Sequence, residues 1–381
     1  MALDFLTPLS TEILDFVKNL SSQHLGRKIV FHTHDEFPDL KKIKIAIIGV
    51  LENRGDSNAK KSVNLDYIRY EFYNLFPGNW NISIADLGNL EAGETLEDSY
   101  FALQKVTAFL LKNNIIPIVI GGSQDLTYPL YRAFDNLEQR VNIVVIDSKF
   151  DLQREQSTLA DSYLTKLIVD EPTNLFNFSN IGYQTYYNSQ EEIDLIEKLY
   201  FDAYRIGDIS NNLEIAEPVF RDADLVSIDL NAVISSHSGN FSTFVSNGFK
   251  GKEICALSRY SGISDKVTIF SIFNHQSTQS ESNLIAQIIW YFIEGVHCRS
   301  NEYPFGTKQN YIKYIVTLED EMVFYKSNIT DRWWIEIPII SFNHNINAKQ
   351  TLLPCSKQDY LDACSGEVPE RYWKMQRKNL I

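Results

Sequence analysis

Three short polar segments of this chain combine residue types that can bind a cation or move a proton. They are Gly121-Gly122-Ser123-Gln124-Asp125, Asp147-Ser148-Lys149-Phe150-Asp151 and Ser227-Ile228-Asp229-Leu230-Asn231. Each lies at the end of an apolar, β-branched run that predicts a buried strand. If those strands are neighbours, Asp147, Asp151 and Asp229 converge, and clustered carboxylates are typical ligands of divalent cations. The spacing therefore points to metal binding at one edge of a sheet.

Short apolar runs alternate with stretches of helical periodicity through the first 300 or so residues. The predicted strands are Lys44–Val50, Ile82–Leu87, Ile115–Ile120, Val141–Ile146, Phe178–Tyr183, Leu225–Asp229 and Val267–Phe273. The predicted helices are Thr95–Lys112, Leu126–Asp135, Glu191–Leu199, Lys252–Ser261 and Ser282–His297. This alternation is typical of an α/β fold with a parallel sheet and helices on both faces. In such sheets ligands bind beyond the carboxyl ends of the strands, where the three polar segments lie.

After about Asn301 the sequence becomes aromatic and β-like. Short strands are predicted at Tyr311–Thr317, Met322–Lys326 and Trp333–Ile337, and Leu352–Ile381 is predicted to be a loop followed by a helix. The predicted organisation is an N-terminal segment (1–40), an α/β domain (41–300) and an aromatic-rich C-terminal extension (301–381). Two interpretations of the aromatic residues stay open, since packing onto the main domain and forming a protein interface both bury rings. These residues are Tyr303, Phe305, Tyr311, Tyr314, Phe324, Tyr325, Trp333, Trp334, Tyr360, Tyr372 and Trp373.

The three polar segments resemble the metal motifs of the ureohydrolases, the family of arginase, agmatinase and formimidoylglutamase. Those motifs read G-G-D-H-S, D-A-H-x-D and S-x-D-x-D in the same order. The resemblance covers roughly residues 44–297, includes Asn180-Ile181-Gly182-Tyr183 and Asn247-Gly248-Phe249, and looks nearest to bacterial formimidoylglutamase-like proteins. It implies a three-layer arginase-like fold with a mostly parallel sheet, here followed by a β-rich extension. In the family, two Mn²⁺ ions share a bridging hydroxide that attacks a guanidine or imine carbon.

Three of the six metal-ligand positions implied by the resemblance are altered. Gln124 and Lys149 stand where the family has histidines, and Asn231 replaces an aspartate. Asp147, Asp151 and Asp229 match ligand aspartates. The family's glutamate near the end of the strand at 267–273 has no counterpart, and neither does its proton-shuttle histidine after the second motif. We therefore expect these six positions to be the remnant of a metal pocket, with no catalytic residue among them.

Lys149 decides the expected chemistry, because an ammonium has no lone pair for a metal and repels a cation. We expect Lys149 to form ion pairs with Asp147, Asp151 or Asp229 in place of a metal, so that no cofactor is needed. Three aspartates and one lysine sum to a charge of −2. One divalent cation held by those aspartates and Gln124 therefore remains the alternative.

Composition limits the partners. The 381 residues include 35 Lys+Arg and 49 Asp+Glu, a net charge of −14, which argues against nucleic acid and against an anionic membrane surface. No window of 18 apolar residues occurs and the first residues lack a basic segment before an apolar run, so neither membrane insertion nor a signal peptide is predicted. The four cysteines contain no C-x-x-C pair, which favours a reduced, cytoplasmic protein.

Three other candidate sites have simpler interpretations. His32 and His34 form an H-x-H pair without a third ligand, so a solvated surface segment is expected. His237 lies among serines in Ser235-Ser236-His237-Ser238-Gly239, but side chains so near in sequence are not expected to converge as a catalytic pair, and a loop is predicted. Cys255 falls on an apolar helix face, which favours a buried structural role over a nucleophile.

The leading hypothesis from the sequence is a non-catalytic member of the arginase family, a pseudoenzyme that acts as a binding or scaffold subunit. We expect it to be a homo-oligomer or part of a larger complex. One alternative is a formimidoylglutamase-like or agmatinase-like hydrolase of linear C–N bonds with a remodelled metal site. Another is a small-molecule sensor that keeps the family pocket without its chemistry.

Overall fold

A large, mostly parallel sheet forms the centre of the molecule. The computed structural model describes residues 2–57, 64–137, 139–152, 158–276, 278–302, 309–318, 321–338 and 350–379. The strands of the main sheet are β1 (Leu6–Thr7), β2 (Val30–Phe31), β3 (Ile45–Val50), β4 (Ile84–Leu90), β5 (Ile116–Ile120), β6 (Val141–Ile146), β7 (Leu175–Tyr183), β8 (Asp202–Arg205), β9 (Leu225–Asp229) and β10 (Ile269–Phe273).

The strand order is β1-β4-β3-β5-β10-β9-β6-β7-β8, with β2 also pairing with β4. All pairs are parallel except β1 with β4. The five central strands β3, β5, β10, β9 and β6 are buried along their whole length, as expected when helices cover both faces of a parallel sheet. Two apolar cores lie on opposite faces of this sheet, so the domain has three layers.

Helices cover both faces of the main sheet, the last two pack with the C-terminal strands, and several begin at a residue that caps the first turn. They are α1 (Thr11–Asn19), α2 (Asp66–Tyr73), α3 (Leu96–Lys112), α4 (Thr127–Arg132), α5 (Tyr163–Val169), α6 (Gln190–Lys198), α7 (Ile206–Asn211), α8 (Ala216–Arg221), α9 (Ser235–Ser238), α10 (Gly251–Ile263), α11 (Gln279–His297), α12 (Lys357–Cys364) and α13 (Glu370–Lys378). Capping boxes at Thr95, Ser189, Thr278 and Ser356 satisfy backbone N–H groups at the starts of α3, α6, α11 and α12.

A second, antiparallel sheet follows the main domain. Its strands, in spatial order, are β11 (Tyr311–Thr317), β12 (Glu321–Ser327), β13 (Trp333–Pro338) and β14 (Gln350–Cys355). The buried guanidinium of Arg221, at the end of α8, donates to the Trp333 carbonyl at 3.1 Å and to the Cys355 carbonyl at 2.8 Å. These hydrogen bonds attach the small sheet to the main domain, because each satisfies a backbone acceptor that is buried.

The predicted fold class is confirmed, including the β-rich extension. Each predicted strand of the α/β region is present, with ends displaced by a few residues. The prediction for Leu352–Ile381 was wrong, since a strand and two helices stand where a loop and one helix were expected. Of the aromatic residues, Trp334, Phe324 and Tyr325 are buried, whereas Tyr303 and Phe305 lie outside the described residues.

The predicted domain boundaries remain a prediction. The N-terminal segment contributes β1 and β2, and both pair with β4. Across the described ranges, no helix combines the length and apolarity required to cross a membrane.

Candidate functional site

The three polar segments meet at the carboxyl edge of the main sheet. β9 pairs with β6 on one side and with β10 on the other, and β10 pairs with β5. Asp229 ends β9, Asp147 follows β6, and Gln124 lies four residues after β5. Because all four strands are parallel, their carboxyl ends face one region, as the sequence predicts.

Three buried carboxyl groups form the centre of this region. Asp147, Asp151 and Asp229 are 1%, 5% and 6% exposed. Burial raises the pKa of all three carboxyls well above the ordinary aspartate value, and mutual repulsion raises them further. The charge of Asp151 raises the pKa of Asp147, and the charge of Asp229 raises the pKa of Asp151, so the three carboxyls lie close enough to repel one another. The site is therefore a cluster of acids that resist full ionisation.

The turn after β6 is built to bring Asp147 and Asp151 together. The Lys149 backbone N–H donates to Asp147 Oδ1 at 3.0 Å, which folds the turn back on its first residue. Asp151 has a φ of +54°, a left-handed conformation that aspartate tolerates better than most residues. Side-chain amides fix the turn from outside, since Asn188 Oδ1 accepts from the Phe150 N–H and Asn180 Nδ2 donates to the Lys149 carbonyl.

The ion-pair partner of Lys149 differs from the prediction. Its ammonium lies 3.2 Å from Asp161 Oδ1, and its side chain is 42% exposed. The predicted ion pairs with Asp147, Asp151 or Asp229 are therefore wrong. The reason is geometric: the Lys149 backbone already bonds to Asp147, and the long side chain extends outward to the segment before α5. Burial alone would lower the pKa of Lys149, but the negative charges of Asp161, Asp151 and Asp147 outweigh it and raise the pKa.

Side-chain amides occupy the other altered positions. Gln124 is fully buried and its Nε2 donates to Ser227 Oγ at 3.0 Å. Gln124 Oε1 accepts no hydrogen bond from any residue that the structure describes, and the same holds for Asn231 Oδ1. Asp229 receives two donors, the Asn231 backbone N–H at 2.7 Å and Asn274 Nδ2 at 2.7 Å.

These residues do not fit a two-metal centre. Within the described ranges, no group of three or more His, Cys, Asp or Glu side chains is arranged to hold a metal ion. Both Asp229 oxygens accept protein N–H groups, and the Lys149 side chain, which has no lone pair for a metal, extends away from the three carboxyls to Asp161. The unpartnered oxygens of Gln124 and Asp147 are acceptors, but they are too few to replace the missing imidazoles.

Two residues of the site were missed from the sequence. Asp161 lies twelve positions after Lys149 and outside every sequence motif. Its ion pair with Lys149 is therefore visible only in the folded structure. Asn274 directly follows β10 at the same sheet edge, and its side-chain Oδ1 accepts from the Gln124 backbone N–H at 3.1 Å. A polar residue directly after a buried parallel strand is a signal that could have identified Asn274.

The structure supports simple structural roles for the other candidates, but the segment of His237, which was expected to be a loop, is the short helix α9. His32 Nδ1 bonds the Leu87 carbonyl at 3.0 Å, whereas His34 is exposed. The Gly251 N–H, at the start of α10, donates to His237 Nδ1, and Ser235 Oγ accepts from the Val245 N–H at 2.7 Å, so the two side chains serve separate structural contacts. Cys255 is 4% exposed, and burial raises the pKa of its thiol to about 12, which leaves it a poor nucleophile.

The three-layer fold and the carboxylate cluster at the sheet edge define a class of protein, the ureohydrolase-like α/β domains. A family model described as the arginase family matches residues 45–293, and the chain belongs to that family.

Curated relatives are formimidoylglutamases. That of Geobacillus thermodenitrificans is 29% identical over 166 residues, which cover 42% of this chain and 48% of the relative. That of Streptococcus gordonii is 23% identical over 235 residues, covering 56% of this chain and 71% of the relative. The chain thus spans about half the length of the first relative and over two thirds of the second.

Solved structures confirm the fold. The formiminoglutamase of Trypanosoma cruzi, solved with Mn²⁺, has a TM-score of 0.63 at 16% identity, covering 69% of this chain and 97% of that one. The agmatine ureohydrolase of Thermoplasma volcanium has a TM-score of 0.56 at 19% identity, covering 74% and 97%. At these identities the likeness describes architecture and not activity.

Proposed function

We propose that this chain is a non-catalytic arginase-family protein that acts as a binding or scaffold subunit. The observation that carries the proposal is the Lys149 ammonium, which reaches out of the aspartate cluster to Asp161 from a position where the family has a metal-binding histidine. Lys149 has no lone pair to give a metal, and its charge, which acts on Asp147, Asp151 and Asp229 from outside the cluster, opposes a second cation. Hydrolysis by a bridging hydroxide needs both ions.

Neighbouring residues support the same proposal. Gln124 and Asn231 offer neutral amide oxygens, which are weak ligands for a histidine-rich type of manganese site. The structure contains donors that serve the carboxylates directly, such as Asn274 Nδ2 on Asp229. These hydrogen bonds, and the protonation that the raised pKa values favour, lower the energetic cost of burying the carboxyl groups without a cation.

The proposal predicts that purified protein releases neither urea from arginine or agmatine nor formamide from formiminoglutamate when Mn²⁺ is added. The formimidoylglutamase of Geobacillus thermodenitrificans, assayed in parallel, provides the positive control. Metal analysis of the same preparation should find less than one equivalent of bound divalent metal. Turnover near an ordinary enzyme rate of about one per second would overturn the proposal and favour a hydrolase with a remodelled site.

Restoring the altered ligand positions should restore metal binding. In the triple variant Gln124→His, Lys149→His, Asn231→Asp, the melting temperature should rise on addition of Mn²⁺ and fall back with EDTA, because a ligand that binds only the folded state stabilises it. The wild type should respond to neither addition. A matched control is Lys149→Met alone, which removes the charge and adds no ligand. A wild-type response equal to that of the triple variant would contradict the proposal.

A further inference from the structure

The outer strand of the C-terminal sheet exposes both its backbone edge and apolar side chains. In the described part of the chain, β11 pairs with β12 and with no other strand. Ile312 is 43% exposed and Ile315 is 54% exposed, and they lie on opposite faces because they are three residues apart. The strand reads YIKYIVT, which is rich in β-branched and aromatic residues and carries a single charge. Such an edge is a template for pairing with another strand.

Hydrogen bonds on the other side of β12 reveal which β11 groups face outward. The Ser327 N–H donates to the Arg332 carbonyl at 2.8 Å, so the backbone N–H and C=O of Ser327 point towards β13. Because these groups alternate in direction along a strand, those of the neighbouring residues point towards β11. In agreement, the Asn328 N–H donates to the Asn310 carbonyl at 2.8 Å. The register between β11 and β12 has no bulge, so the backbone N–H and C=O groups of the even-numbered β11 residues point towards β12. The odd-numbered residues present their N–H and C=O groups outward, and they are Tyr311, Lys313, Ile315 and Thr317.

We propose that β11 pairs with β11 of a second copy of this chain. The pairing is antiparallel about a two-fold axis at Tyr314, and it joins the two four-stranded sheets into one. Lys313 then lies opposite Ile315 of the other copy, and Tyr311 opposite Thr317. All four outward-facing residues of each strand are hydrogen-bonded in this register. The proposal does not depend on the chemistry of the aspartate cluster.

The charge and shape of β11 favour its own copy in this register over neighbouring registers. Centring the pair on Lys313 would place two ammonium groups directly opposite, which is destabilising in an antiparallel pair. Centring it on Ile315 would leave Tyr311 without a partner residue in the strand. Centring it on Tyr314 separates the two Lys313 charges, covers Ile315 with the lysine stem, and places Ile312 opposite Val316. The strand is thus complementary to itself.

A charge introduced on the edge tests the pairing. Ile315→Lys places lysines opposite one another at two symmetric positions, so the dimer dissociation constant of the full chain, from sedimentation velocity, should rise about tenfold or more. Ile329→Lys is the matched control, because Ile329 is 64% exposed in the turn between β12 and β13 and off the edge. Adding Lys313→Glu to Ile315→Lys should restore the dimer by making those pairs opposite in charge. A monomeric wild type at about 100 micromolar, or equal dissociation constants for the two lysine variants, would overturn the proposal.

A cross-link tests the register separately. Residues 312 and 316 are opposite each other in non-hydrogen-bonded pairs, where Cα atoms lie about 4.5 Å apart and a disulfide fits. The double variant Ile312→Cys, Val316→Cys should therefore form a disulfide-linked dimer under mild oxidation. Neither single variant should do so beyond the wild-type level, since equivalent residues lie several positions apart. Efficient linking of Ile312→Cys alone, or no linking of the double variant, would contradict the register.

Discussion

Replacing Arg69 with methionine should lower the free energy of unfolding by about 3 to 5 kcal/mol, because it leaves a buried carboxylate without its cation. Arg69 Nε and Nη2 donate to the two oxygens of Asp86 at 3.0 and 3.2 Å. The side chains of Arg69 and Asp86 are 4% and 0% exposed, so water does not replace the lost interaction. Methionine fills a similar volume, which confines the change to charge and hydrogen bonding.

The pair also joins α2 to β4, one of the strands beside the centre of the sheet. Arg69 donates in addition to Asn89 Oδ1 at 2.8 Å and to the Gly88 carbonyl at 3.0 Å. Tyr73, one turn later on α2, donates its hydroxyl to Asp86 Oδ2 at 2.5 Å. Burial alone would lower the pKa of Arg69, but the Asp86 charge outweighs it and raises the pKa, so the guanidinium stays charged.

Urea unfolding of three variants measures this effect. Arg259→Met is the matched control, because the ion pair of Arg259 with Glu294 is even shorter, at 2.8 Å, but its side chains are 38% and 29% exposed. This substitution should lower the free energy of unfolding by less than about 1 kcal/mol. Adding Asp86→Asn to Arg69→Met should recover part of the loss by removing the unpaired charge. A cost for Arg69→Met no greater than that of the control would show that the pair is not a stabilising contact.

Continuous apolar runs predicted the central strands, because those strands are buried on both faces. β1, β2 and β8 are two to four residues long, too short to show any periodicity, and they were missed. β14 was missed for another reason. It contains Pro354, which weakens any strand prediction, and proline is tolerated there because β14 is at the edge of its sheet.

The positions of the site were predictable, but the pairing within it was not. Strand ends place Asp147, Asp229 and Gln124 at one edge whatever the details of the loops. The direction taken by Lys149 depends on Asp161, which the chain brings back only through the segment before α5. Ion pairs between loops are set by tertiary packing, and no spacing in the sequence records them. The burial of Arg69 could not be predicted either, because nothing in the local sequence distinguishes a buried charged residue of a helix from an exposed one.

The two surfaces described above have different chemistry. The sheet edge with Asp147, Asp151 and Asp229 is an electrostatic site in which buried acids are balanced by amides and by one lysine. The β11 edge offers backbone hydrogen bonds and exposed isoleucines. The proposed pairing through the β11 edge does not depend on metal chemistry at the aspartate cluster, so separate variants test assembly and activity.

Replacing Asp151 with asparagine should make the protein more stable at pH 8, by about 1 to 2 kcal/mol, because one of three mutually repelling buried carboxylates is removed. The pKa of Asp151 is raised by burial first and by the Asp229 charge second. Asparagine keeps the shape of the side chain and suits the left-handed conformation at this position, where φ is +54°.

The sign of the pH dependence follows from those raised pKa values. Above the ordinary aspartate pKa the unfolded chain releases protons that folded Asp147, Asp151 and Asp229 retain. The folded state therefore binds more protons, and stability falls as the pH rises through the raised pKa values. Asp151→Asn should flatten this part of the profile, and its advantage over the wild type should shrink towards pH 4.

Thermal unfolding between pH 4 and pH 8 measures the difference, with Asp331→Asn as the matched control. Asp331 is also left-handed, with a φ of +59°, but its side chain is 82% exposed, so the control makes the same exchange without relieving buried charge. It should change stability little at any pH. A less stable Asp151→Asn protein at pH 8 would mean that a cation already compensates these carboxylates. That result, together with a loss of stability in EDTA, would favour the single divalent cation over the metal-free site.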